Sequence, residues 1–194
     1  MSSVFSSLQD AGNLISTILL DKLLISKVEE VISLLTDTFK RNNKIIICGN
    51  GGSACDAMHF AEEFTGRFNK NRKALPVISL TDPGHLTCVS NDFGFEFVFQ
   101  RGVEAYGQKG DVFIGLTTSG NSQNIKLALN EANNKNMKTI LLLGKSGGKL
   151  AGFSDLEIIV PGKTTDRIQE LHMLLLHIII ENVEKRLFPT LYKH

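Results

Sequence analysis

The sequence predicts an α/β fold: a three-layer α/β/α sandwich on a five-stranded parallel sheet, with two N-terminal helices and a long apolar C-terminal helix. Three observations in the 194 residues carry that expectation. Short apolar runs recur with room for a helix between most of them. Two of the runs end in small or hydroxyl-bearing residues that lead directly into helical periodicity. No linker, internal repeat or low-complexity segment interrupts the alternation, so residues 1–194 read as a single domain. Long connections between consecutive strands argue for right-handed parallel crossovers.

Residues 1–22 read as an amphipathic helix with an irregular start. Ser26-Lys27-Val28-Glu29 has the form of a capping box opening a second helix, whose apolar stripe is Val28, Val31, Ile32, Leu35 and Phe39. These helices, about 1–42, are expected to pack on the core or at an oligomer interface. The first strand, Lys44 to Cys48, ends in Gly49-Asn50-Gly51-Gly52-Ser53, and a helix over 54–65 carries Ala54, Ala57, Met58, Ala61 and Phe64. Unpaired amides of such a turn and of the first helical turn suit an oxyanion. The spacing is neither a Walker A loop nor GxGxxG, so no nucleotide is implied. Arg67 to Ala74 is polar and reads as loop. Strands follow near 76–81, 111–117, 137–143 and 156–160, with helices near 85–90 and 122–135.

The strand at Asp111–Leu116 ends in a second loop of the same kind, Thr117-Thr118-Ser119-Gly120-Asn121-Ser122, in which five of six residues bear hydrogen-bonding side chains. Such turns also serve as helix caps, but one cap needs one hydroxyl. Loops at the carboxyl ends of parallel strands converge on one crevice, so the two together define a polar pocket with no Lys or Arg of its own. Gly147, Gly148 and Gly152 mark a loop over 144–154 with the composition of a mobile segment.

The last helix starts near Asp166, a candidate N-cap that puts Gln169 at the third helical position, and runs apolar on most of its surface through Ile180. A helix of that kind is buried, often between subunits. His177 lies within it, either as a hydrogen-bonded core histidine or as a catalyst. His59 and Glu63, at i and i+4, share one helix face beyond the glycine loop. They can hold a divalent metal, aim at a ligand, or form a plain surface pair. The same periodicity turns Glu62 elsewhere.

Apolar residues make up 42% of the chain and the formal net charge is +1, without a basic stripe, so nucleic acid is not a predicted partner. No apolar segment reaches membrane-spanning length and the first 20 residues lack a positive n-region, so a cytoplasmic location is expected. Cys48, Cys55 and Cys88 form neither a CxxC pair nor a disulfide framework.

Taken in order, CGNGGSACDAMHFAEEFTGRF, SNDFGFE, TTSGNS and DRIQELH closely resemble the phosphoheptose isomerases of the sugar isomerase (SIS) superfamily, across nearly the whole chain. The resemblance implies conversion of D-sedoheptulose 7-phosphate to D-glycero-D-manno-heptose 7-phosphate, the first step toward nucleotide-activated heptose for bacterial surface polysaccharide. It implies substrate contacts from Asn50, Gly51, Gly52, Ser53, Glu63, Asn91, Asp92, Thr117, Thr118, Ser119, Ser122 and Gln169. It implies an acid/base pair, Glu63 and His177, and one zinc per subunit on His59, Glu63, Gln169 and His177. A homotetramer with active sites at subunit interfaces is implied as well. Ala54, Thr117 and Pro83-Gly84 depart from the usual pattern without removing any of these residues. Other SIS proteins are non-catalytic sugar-phosphate sensors, a replication-initiator-associating module, or isomerases of other phosphosugars. The retained Glu63/His177 pair favours the isomerase.

Gln169 and His177 are eight residues apart, about 12 Å along a straight helix. Two side chains so placed cannot comfortably reach one ion, so at least one of them is expected to enter the site from a neighbouring subunit.

Overall fold

The computed structural model describes residues 2–192; Met1, Lys193 and His194 lie outside the described residues. Helices α1 (Ser3–Leu20) and α2 (Lys22–Lys40) precede β1 (Ile45–Gly49). There follow α3 (Gly52–Thr65), β2 (Val77–Ser79), α4 (Pro83–Asp92), α5 (Val98–Tyr106), β3 (Val112–Thr117), α6 (Gln123–Asn134), β4 (Lys138–Gly144), β5 (Leu156–Val160) and α7 (Thr165–Leu187). The sheet has the order β2-β1-β3-β4-β5 and every pair is parallel. In register, Ile45 faces Val112 and Gly49 faces Leu116, so β1 and β3 deliver their loops side by side.

Alternate strand residues feed two separate cores, as a sheet covered on both faces requires. Ile45, Ile47, Ile114, Leu116 and Leu142 pack under α2, α3 and α7. Ile46, Cys48, Phe113, Leu141 and Leu143 pack under α4, α5 and α6. The helices after β1 and β3 therefore leave to opposite faces, which opens a crevice between adjacent strand ends.

Three local expectations are corrected. Helix α2 begins at Lys22, not near Ser26, because the Asp21 carboxylate accepts from the Leu24 amide and caps it there. Helix α5 was not expected; its buried Val98, Phe99, Gly102 and Val103 do follow helical spacing, but it starts behind a short 3₁₀ turn with no side-chain cap. Helix α7 begins at Thr165 behind an extended Thr164, so Asp166 sits in its first turn rather than at its cap, and Gln169 lies beyond the third helical position. In the single chain Glu170, Leu174 and Ile178 of this helix are exposed opposite the buried stripe. Helix α1 buries only Ile18 and exposes Val4, Phe5, Leu8, Leu19 and Leu20. Among the described residues, no helix is long and apolar enough to cross a membrane.

Candidate active site

The loop after β1 turns on Gly51, whose φ of +57° is readily adopted only without a Cβ. It starts α3 with no side-chain cap; the Ser53 and Ala54 amides donate instead to the Asn50 and Gly51 carbonyls at 3.1 and 3.0 Å. The loop after β3 behaves alike: Ser122 stands at the cap position of α6, yet its hydroxyl lies 3.0 Å from Thr117 Oγ1 instead of capping the helix. Asn50 and Asn124 join the loops by a reciprocal amide pair, both bonds 2.9 Å. The Asn124 oxygen also accepts from the Ile125 amide.

Between the loops is an open cavity of about 410 Å³, lined by Asn50 to Ser53, Leu116 to Ser119, Ser122 and, from α7, Thr165 and Gln169. Gln169 rests against Gly52, where a Cβ would come 2.5 Å from its Oε1, and its Nε2 donates to Ser53 Oγ at 3.4 Å. Among the described residues, no Lys or Arg lines this cavity. The glycine loop before β5 touches the loop after β3: the Leu150 amide donates to the Gly120 carbonyl at 3.0 Å, and the Lys149 amide to Asn121 Oδ1 at 3.0 Å.

Helices α3 and α7 run the same way on one face of the sheet, and their polar contacts advance in step. Gln169 meets Ser53 at the loop end; eight residues on, His177 meets His59. There His59 Nε2 lies 3.3 Å from Glu63 Oε1 and 3.5 Å from His177 Nε2. One ligand atom from each of the three residues fits within 4.8 Å. Phe68 stacks on the His177 ring, centroids 5.9 Å apart. Glu62 also approaches His59 at 3.7 Å, but its side chain is 65% exposed against 16% for Glu63. Glu63 is therefore the carboxylate held in the cluster.

Two imidazole nitrogens and a carboxylate oxygen aimed at one point suit a cation. Ligand atoms about 2.0–2.1 Å from a tetrahedral ion stand roughly 3.3 Å apart, close to the spacings found. His172, on the same helix, belongs to the core: it is fully buried, its Nε2 meets the Leu143 carbonyl at 3.1 Å, and burial pushes its pKa down to about 4. It stays neutral and takes no part in the cluster.

One chain thus brings together His59, Glu63 and His177, and separately Asn50, Gly51, Gly52, Ser53, Thr117, Thr118, Ser119, Ser122 and Gln169. It does not bring Gln169 to the triad. Asn91 and Asp92 lie exposed at the end of α4, where the Asn91 amide donates to Asp92 Oδ1 at 2.8 Å, and neither lines the cavity. Asn124 was not anticipated. Its partner lies 74 residues away, and only its place beside the cap of α6 hints at it.

Comparison with known proteins bears on this arrangement. The SIS domain family model matches residues 9–144. The phosphoheptose isomerase of Fusobacterium nucleatum is 59% identical over 166 residues, 86% of each chain. Among solved structures, the phosphoheptose isomerase of Francisella tularensis has a TM-score of 0.91 at 31% identity, covering 95% of this chain and 100% of that one. The one from Neisseria gonorrhoeae has a TM-score of 0.87 at 36% identity, covering 94% and 97%.

Proposed function

The chain belongs to the phosphoheptose isomerase family of SIS-domain proteins, and from that premise we propose how its residues perform the reaction. It is an isomerase of sedoheptulose 7-phosphate. The observation that supports our assignment of roles is the convergence of His59, Glu63 and His177 below the loop cavity.

Ketose–aldose exchange moves a proton from carbon 1 to carbon 2 and another at the carbonyl oxygen, through an enediol. Glu63 Oε1 is the proposed base at carbon. His177 moves the oxygen-linked proton. Thr117, Thr118, Ser119 and Ser122, with the amides of both loops, hold the 7-phosphate, so that binding energy far from the reacting carbon orients it. His59, Glu63 and His177 would hold a zinc ion. When bound, such an ion supplies polarisation of a carbonyl oxygen. A ligating carboxylate is a weakened base, so ligation and proton abstraction by Glu63 belong to different states of the site.

Turnover in deuterated water checks the reaction class. Aldose product carrying deuterium at carbon 2 is expected; a product free of solvent deuterium would exclude an exchangeable base and the enediol route.

A homotetramer, a single SIS domain over residues 1–194, a cytoplasmic location and a role in surface-polysaccharide precursor supply complete the proposal. The largely uncovered apolar side of α1, with exposed Leu174 and Ile178 on α7, supports association of copies. In such an assembly Gln169 from a second copy reaches the triad, because helix rise holds a chain's own Gln169 about 12 Å from its His177. Contact of Asn91 and Asp92 with the sugar would arise by the same route. Gln169→Ala and His177→Ala should each be inactive, and mixed, reassembled oligomers of the two should regain activity. Equally inactive mixtures would mean that each chain builds its site alone.

A further inference from the structure

Past the triad a third rung reaches α7 from the coil that follows α3, formed by Arg72 and Glu184. Arg72 Nε donates to Glu184 Oε2 at 3.0 Å, and both side chains are completely buried. Its other nitrogens end α3: Nη2 donates to the Glu63 carbonyl and Nη1 to the Phe64 carbonyl, both at 2.6 Å, with Nη1 also 3.3 Å from the Gly66 carbonyl. Glu184, two turns beyond His177 on α7, accepts in addition from the Lys70 amide at 3.2 Å and from the Tyr192 hydroxyl.

The last carbonyls of a helix have no partner within it, and a cation there also complements the helix dipole. Arg72 meets both needs, and one of the carbonyls it holds belongs to Glu63 itself. A buried ion pair is weak evidence of stabilisation, because apolar replacements of similar volume are often as stable. What the planar fork adds is geometry. Three of its nitrogens are committed in fixed directions, two to the end of α3 and one to α7, which a lysine cannot reproduce.

We propose that Arg72 and Glu184 are a positioning pair that sets the spacing of α3 against α7, and through it the alignment of His59 and Glu63 with His177. The proposal rests on the reading of that triad as the reaction centre. The substrate-holding loops lie at the opposite ends of both helices, so the pair acts on turnover and metal affinity and spares substrate affinity.

The test is Arg72→Lys, with kcat and KM measured at saturating zinc, and the zinc dissociation constant measured on apo-protein by competition with a chromophoric chelator. Misplaced catalytic groups and disturbed outer-shell partners each cost about 10- to 100-fold, so kcat should fall by roughly that factor and zinc affinity by about tenfold or more. KM should stay within about threefold, since uniform substrate binding is untouched. A lower melting temperature with kcat and zinc affinity both unchanged would reduce the pair to a structural role and overturn the proposal. Should Arg72→Lys fail to fold, Glu184→Gln keeps the shape and one acceptor, and the same split is expected at smaller amplitude; its absence there overturns the proposal equally. Full activity in Glu63→Gln would instead sink the reading of the triad, a result independent of either variant.

Discussion

Glu63→Gln should lower kcat by about 10²–10⁴ with little change in KM, the range over which a positioned general base acts. The substitution is nearly isosteric, and the neutral amide can still occupy the place beside His59, where the carboxylate oxygen now lies 3.3 Å from Nε2. What it removes is a basic oxygen in a cluster whose other members are two imidazoles. Because the same oxygen is a proposed metal ligand, zinc occupancy has to be followed alongside turnover. A loss of kcat with zinc still bound identifies the base. A loss that excess zinc reverses identifies a ligand only. Unchanged turnover removes Glu63 from the chemistry.

Gly120→Ala should impair substrate binding more than any other single methyl addition to the loops. Gly120 has φ +64°, a conformation costing an L-residue roughly 1–2 kcal/mol. Its Cβ would come 1.9 Å from the Gly147 carbonyl oxygen and 2.9 Å from the Gly148 amide nitrogen. Neither obstacle is a side-chain end that can swing away; relief requires displacing the backbone of the phosphate loop or of its support. We expect destabilisation of about 2–3 kcal/mol, at the upper end for single substitutions, and a KM for the sugar phosphate raised at least about tenfold. An unaltered KM in Gly120→Ala would mean that the loop-on-loop contact does not shape the cavity.

The parts of this molecule legible in its sequence are those written locally. The runs of β1 and β3, apolar on both faces and closed by small or hydroxyl residues, announce a parallel sheet with two ligand loops. The i, i+4 spacing of His59 and Glu63 announces one face. What stayed hidden depends on partners distant in the chain. Asn124 and Arg72 carry no local pattern, because their partners lie 74 and 112 residues away. The separation of Gln169 from His177 follows from helix rise, but their meeting with Ser53 and His59 depends on α3 and α7 running the same way. The start of α2 was misplaced because Asp21 and Ser26 both look like caps, and only tertiary context chooses between them. Helix α5 was missed because a 3₁₀ turn and an uncapped start disguise a sound apolar stripe.

The reciprocal bonds between Asn50 and Asn124 have a bearing on how activity should respond to acidity. Carboxamides do not titrate, and neither do the hydroxyls and amides that line the rest of the cavity. The shape of the phosphate cradle is therefore indifferent to proton concentration, and the ionisable groups proposed for the chemistry sit roughly 9–15 Å farther along the same two helices. Recognition and reaction are insulated from each other in this respect: a change of acidity leaves the cradle's hydrogen-bonding side chains as they are.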